Sequence, residues 1–163
     1  MDRKPIQGRI VQINVSPKGG VPKFPVPAAE ITIHGVRGDH QRDREHHGGP
    51  RRAVSLYSAE RIAALQAEGH PIAPGTTGEN LTISGLDWAQ IGIGDRLLIG
   101  SWVELEITDY TTPCNTIAGS FLRGQFTRIS QRLHPGWSRL YARVINEGEV
   151  RVDDPVTLIK TGA

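Results

Sequence analysis

The 163 residues predict a mainly β fold, an antiparallel closed or nearly closed β-barrel with a few short helices. Three observations carry this. Apolar and polar residues alternate in short runs, most cleanly over residues 102–109, where Val103, Leu105 and Ile107 share one face and Glu104, Glu106 and Thr108 the other. Nineteen glycines and eleven prolines are spread along the chain and punctuate those runs. The connections between runs are mostly too short for parallel crossovers, so about eight to ten strands pair chiefly with antiparallel neighbours and close on themselves.

Composition bounds the rest. A chain of 163 residues with 37% hydrophobic content fits one domain, residues 1–163, with a core of its own. Nineteen basic and seventeen acidic side chains leave a formal charge of +2, too balanced to imply nucleic-acid binding. The apolar runs fall short of a membrane span, and MDRKPIQGRI lacks the apolar centre of a signal peptide, so no membrane partner is expected. A single cysteine agrees with a cytoplasmic protein.

Taken in order, residues 8–15 (GRIVQINV) are rich in β-branched side chains and read as the first strand. Pro17, Gly19, Gly20, Pro22, Pro25 and Pro27 then forbid regular structure and make a rigid surface loop. Residues 30–36 (EITIHGV) read as a second strand with Ile31, Ile33 and Gly35 on one side and His34 on a sheet face. Residues 53–57 (AVSLY) form a short buried strand, and Ser58 caps a helix over 59–68. That helix has Ile62 and Leu65 on its apolar face, Glu60 near its start and Gly69 as its stop. Pro71, Pro74, Gly75 and Gly78 form a loop that delivers Glu79 and Asn80 into a strand over 81–83. These two polar residues are placed either to face a ligand or to hold the turn. Strands over 96–99 and 102–109 are joined at Gly100 and Ser101. Residues 117–133 carry one or two short helical pieces around Phe121 and Ile129, interrupted near Gly124. A strand over 138–145, a turn at 146–148 and strands over 150–152 and 155–159 close the sheet.

Two stretches stand apart. Residues 37–52 (RGDHQRDREHHGGPRR) hold five arginines, three carboxylates and three of the six histidines, with no large apolar side chain, so the segment cannot bury itself. It is either a solvated charged loop or a site. Gly48 and Gly49 permit a tight turn that leaves N–H groups for an anion, and Arg51 and Arg52 add fixed positive charge. Zinc ligation by His40, His46, His47 and Cys114 is conceivable, but the spacing matches no standard zinc motif. The second stretch, residues 109–119 (DYTTPCNTIAG), holds Cys114, which can form no intrachain disulfide and either does chemistry alone or packs as a small hydrophobe. Pro113 sets Cys114 just beyond a strand end, and a helix capped by Asn115 and Thr116 would turn its positive end towards the sulfur and favour thiolate.

Read together, Gly38-Asp39-His40-Gln41-Arg42-Asp43, His47-Gly48-Gly49, Arg52-Ala53-Val54, Pro74-Gly75, Gly78-Glu79-Asn80-Leu81-Thr82 and Ile93-Gly94-Asp95 resemble the MOSC domain, named after the C-terminal domain of molybdenum-cofactor sulfurases. Pro113-Cys114, Tyr141-Ala142-Arg143-Val144 and Glu147-Gly148-Glu149-Val150 continue the resemblance, which is strongest over residues 30–160 and looks like the small stand-alone bacterial kind. Two positions depart from it. Thr112 stands where many relatives have arginine, and Asp153 where the family has the first glycine of a late turn.

The resemblance implies a barrel whose cysteine thiolate binds molybdenum of the pterin cofactor or carries sulfur, with Cys114 in that position and Asn80 at a family position near the cofactor. Relatives of this type reduce N-hydroxylated compounds such as hydroxylaminopurines and amidoximes with electrons from partner redox proteins. A soft thiolate suits the metal, and one suffices because the pterin dithiolene supplies two sulfurs. On this reading Cys114 is the metal ligand, and Cys114 and His47 are the catalytic residues. Arg37, His47, Gly48, Gly49, Arg52, Glu79, Asn80, Thr112, Asn115 and Thr116 hold the cofactor. Arg37, Arg51 or Arg52 meets its phosphate, and His47 or Glu79 relays a proton. Two further readings stand beside it. Cys114 carries a persulfide supplied by a cysteine desulfurase, or the barrel is non-catalytic and binds a phosphorylated ligand or a protein through residues 37–52.

Overall fold

The computed structural model describes residues 6–40 and 49–161. Eleven strands run in chain order: β1 (Ile6–Val15), β2 (Phe24–Val26), β3 (Ala28–Thr32), β4 (Gly35–Val36), β5 (Val54–Ser58), β6 (Leu81–Ser84), β7 (Arg96–Ile99), β8 (Val103–Tyr110), β9 (Leu140–Asn146), β10 (Gly148–Arg151) and β11 (Pro155–Ile159). The α-helix α1 (Ala59–Ala67) follows β5 directly, and the remaining helical pieces are short 3-10 turns.

Seven strands close a barrel in the order β11, β7, β8, β9, β5, β6, β1, and the ring is completed where β1 pairs with β11. The long β1 makes closure possible. Residues 6–9 pair with β11, residues 9–13 with β6 across a bulge, and residues 13–15 with β2. Closure leaves no ladder edge exposed on the ring. Inward alternation fills the interior with fully buried Ile10, Ile13, Leu56, Leu81, Leu97 and Leu105. A separate three-stranded sheet, β10-β3-β4, packs at one side.

Several expectations are refined. Residues 30–36 do not form one strand. Thr32 and Gly35 pair across a two-residue turn, and Gly35 sits at φ +130°, outside the range that most side chains adopt. Ile33 and His34 are therefore exposed at a hairpin tip rather than on a sheet face. The proline-rich segment is not wholly irregular, because β2 adds to β1 there. The strand at 148–151 joins β3 rather than closing the ring. One ring pairing is parallel, β5 with β6, because α1 and the loop after it carry the chain back over the barrel. The helix itself follows the sequence closely. The Ser58 hydroxyl accepts from the Arg61 N–H at 3.1 Å, Ile62 and Leu65 are buried, and Gly69 turns the chain at φ +99°.

Candidate functional site

A cleft of about 530 Å³ opens at one end of the barrel, where the segments following β1, α1 and β8 converge. Cys114 lies in its wall and is partly accessible. Its backbone is extended (φ −142°, ψ 177°) and precedes a 3-10 turn, Asn115–Ser120, to whose Ile117 N–H its carbonyl accepts at 3.2 Å. This corrects the expected capping arrangement. The cap position falls on Cys114 itself, Asn115 and Thr116 are the first residues of the turn, and six residues of 3-10 structure replace an α-helix. Thr116 nevertheless meets the thiol, its Oγ1 lying 2.9 Å from Sγ. Thr112 and Thr116 line the cleft, whereas Asn115 is exposed and not among the lining residues.

Opposite, residues 19–23 form a second wall through Gly19, Gly20 and Lys23. Buried polar contacts fix that loop. The Lys23 ammonium reaches Asp39 Oδ2 at 2.6 Å, the Ser16 N–H donates to Asp39 Oδ1 at 2.8 Å, and the Asn80 amide donates to Asp39 Oδ2 at 2.9 Å. The Lys23 N–H also donates to the Gly75 carbonyl at 2.9 Å. A Cβ on Gly75 would stand 2.5 Å from the Lys23 carbonyl, so glycine is required for this approach.

Arg139 forms the floor with Tyr141. It is 7% exposed, one guanidinium nitrogen donates to the Thr77 carbonyl at 2.7 Å, and its Nε–H has no partner. Burial pulls its pKa below the ordinary arginine value, while Tyr141, Glu79, Tyr57 and Cys114 act the other way. Burial likewise raises the Tyr141 hydroxyl, against the pull of Arg139 and Arg52. The segment before Arg139 is locked from several sides. Tyr57 donates to the Trp137 carbonyl at 2.7 Å, Trp88 donates to the Ser138 carbonyl at 2.8 Å, and Arg61 and Arg128 stack on the Trp137 ring at 4.2 and 4.0 Å.

The expected cofactor residues divide accordingly. Asn80 is fully buried and supports the wall from behind, with its Oδ1 accepting from the Ser55 N–H at 3.1 Å. Glu79 does not reach the cleft. Its buried carboxylate accepts from Gly75 N–H at 3.0 Å, Thr77 at 2.9 Å and Thr82 at 3.0 Å, so it holds the turn, which removes the basis for a proton relay there. Burial raises its pKa above the usual carboxylate range despite these bonds.

Arg37 points away, its side chain 72% exposed and 3.4 Å from Glu30. Arg52 pairs with Asp109 at 3.2 Å, lies over the Tyr141 ring at 5.2 Å and does not line the cleft. Arg51 reaches the Thr108 carbonyl at 3.5 Å and does not line the cleft. Gly49 (φ +83°) lines a neighbouring cavity of about 400 Å³ with His34, Asp39 and His40. His40 borders both spaces. His46, His47 and Gly48 lie outside the described residues. Sequence reasoning missed Arg139 and Lys23. Lys23 follows the Gly19-Gly20 pair in a rigid loop, which is a usable signal, but nothing around Arg139 in the sequence marks it as buried.

A closed barrel carrying a single-thiol cleft of this kind agrees with what sequence comparison shows. A family profile for the MOSC domain matches residues 43–157, and the chain belongs to that family. It is 30% identical over 146 residues to YflK of Bacillus subtilis (strain 168), covering 88% of this chain and 64% of that protein. It is 33% identical over 138 residues to YiiM of Escherichia coli (strain K12), covering 79% of this chain and 58% of that one. The chain thus spans less than two thirds of the length of these relatives. Among solved structures, YiiM from Geobacillus stearothermophilus superposes with a TM-score of 0.75 at 26% identity, covering 96% of this chain and 77% of that one. YuaD of Bacillus subtilis shares the fold, with a TM-score of 0.77 at 18% identity over 98% and 99% of the two chains. MOSC domains are associated with binding of the molybdenum cofactor. The cleft fits such a group in its chemistry. It offers one soft thiol, a buried guanidinium with an unpartnered N–H, and, among the described lining residues, no carboxylate to repel an anion.

Proposed function

We propose that the protein is a molybdenum-cofactor oxidoreductase that reduces N-hydroxylated compounds of the hydroxylaminopurine or amidoxime type, with the Cys114 thiolate as the protein ligand to the metal. The observation that carries the reading is the joint placement of Cys114 and the cationic side chains Arg139 and Lys23 in one cleft without carboxylates among its described lining residues. A "Reductase" of Gibberella moniliformis (strain M3125 / FGSC 7600) adds support at 28% identity over 131 residues, which cover 77% of this chain but 23% of that protein.

The net change is N–OH + 2e⁻ + 2H⁺ → N–H + H₂O. When bound, the metal supplies the two-electron couple that no side chain of the cleft offers. The chain's own residues hold and orient. Thr116 fixes the Cys114 sulfur, the Lys23–Asp39–Asn80 contacts fix the facing wall, and Arg139 supplies positive charge at the floor. Tyr141 and His40 border the same space and join His47, which lies outside the described residues, as groups to donate a proton to the leaving oxygen, a role from which Glu79 is removed because it does not reach the cleft. Electrons come from a separate redox protein. Protein from a cofactor-producing host, given a reduced dye without air, is expected to convert an amidoxime to the amidine, and Cys114→Ser to stop this. No turnover by protein shown to carry the cofactor contradicts the assignment. A Cys114 persulfide after incubation with a cysteine desulfurase, together with no turnover, would favour sulfur transfer.

A further inference from the structure

Among the described residues, Arg139 is the one arginine that is both deeply buried and part of the lining of the Cys114 cleft. Its environment is unusual for a buried cation. Its nearest polar partner is a neutral carbonyl, that of Thr77, its Nε–H has no partner, and no ion pair to it occurs among the described residues. Burying a charge without a counter-charge is costly, and such groups persist where something else compensates them. No carboxylate lines the cleft among the described residues. Lys23 lines the same cleft, but it makes an ion pair with Asp39, whereas Arg139 makes none among the described residues and feels the Glu79 carboxylate only from beyond ion-pair distance. Thr112 and Thr116 also line the cleft, the Thr116 hydroxyl lying 2.9 Å from the Cys114 sulfur. A guanidinium bordering the cleft, whose buried Nε–H has no protein partner, together with an ammonium and hydroxyls suits a group with several acceptor oxygens.

We propose that Arg139 is the anion seat of this cleft and receives a phosphate monoester, a role that the sequence assigned to Arg37, Arg51 or Arg52. The source of the phosphate, the cofactor or a phosphorylated substrate, rests on the reading above. The seat itself does not, because it is formed by the protein alone.

The test is calorimetric titration of metal-free protein with inorganic phosphate and pyrophosphate at constant ionic strength. Wild type is expected to bind one equivalent saturably and to melt at a higher temperature when pyrophosphate is present. Arg139→Gln weakens binding roughly 10- to 100-fold, the loss of a charge-assisted hydrogen bond. Arg139→Lys keeps the charge but loses the fork, weakens binding severalfold and carries the test if Arg139→Gln does not fold. Arg37→Gln binds as wild type. No saturable binding by wild type, equal binding by Arg139→Lys and wild type, or an equal loss in Arg37→Gln overturns the proposal. In cofactor-loaded protein, loss of phosphate binding assigns the seat to the cofactor's phosphate, and retention assigns it to a substrate's. Phosphate binding without any molybdenum in the loaded preparation would sink the oxidoreductase reading alone, and molybdenum without phosphate binding would sink only the role of Arg139.

Discussion

Two sets of arginines differ in everything except charge. Arg37, Arg51 and Arg52 sit in the most heavily charged stretch of the sequence, yet the first is largely exposed and the others are not among the residues that line the cleft, being engaged with Thr108, Asp109 and Tyr141. Arg139 sits in an inconspicuous run, SRLYARVI, and ends in the floor of the cleft. A dense run of charge marks solvent exposure at least as often as a binding site. What makes a charge functional is burial without a partner, and burial is a property of the fold.

The contrast is sharpened by mutation. The largest effect is expected at Asp39, whose carboxylate is only 3% exposed and ties together Lys23, the Ser16 N–H and Asn80. Asp39→Ala leaves the buried ammonium of Lys23 unpaired and should cost about 3–5 kcal/mol in urea unfolding. Next comes Glu79→Leu, which strips three buried donors of their acceptor and should cost about 2–3 kcal/mol. Arg52→Gln, losing a half-exposed ion pair and a ring contact, should cost about 1 kcal/mol. Arg37→Ala should stay within about 0.5 kcal/mol of wild type.

Two buried carboxylates predict opposite pH responses. Burial raises Glu79 above its unfolded value, so the folded state holds a proton that the unfolded state releases. Its contribution to stability is therefore greatest below the ordinary carboxylate pKa of about 4.3 and declines as pH rises from there towards the folded value. Burial also acts to raise Asp95, but Lys160 and the N–H groups of Gly92 and Thr161 outweigh it and hold the group below the usual range. The stability from Asp95 is present above its unfolded value and is lost as pH falls through the folded one. Urea midpoints measured against pH should show Glu79→Gln flattening the decline above pH of about 4, and Asp95→Asn flattening only the acid limb.

Much of the frame was legible in local sequence. The alternation of Val103, Leu105 and Ile107, the Ser58 cap and the Gly69 stop each follow from a period or a backbone requirement that a few residues set. Cys114 was legible by its uniqueness. The hairpin at Ile33 and His34 was hidden because EITIHGV carries a strand's alternation, and only the φ of Gly35 reveals the reversal. Glu79 and Asn80 were read as facing a ligand or holding the turn, and the structure favours the turn because their partners are Gly75, Thr82, Asn14 and Asp39, the last two far away in the chain. Arg139 was invisible for the same reason. Its burial is set by tertiary contacts such as that to the Thr77 carbonyl, 62 residues earlier, which nothing in the local sequence marks.

The measurement that bears most directly on the account is molybdenum and pterin analysis of wild type and Cys114→Ser, purified without air from a cofactor-producing host. Near-stoichiometric metal and pterin in wild type, abolished in Cys114→Ser, is the predicted result. Absence of both from wild type, or equal amounts in the two proteins, would contradict the claim that the Cys114 thiolate holds the cofactor.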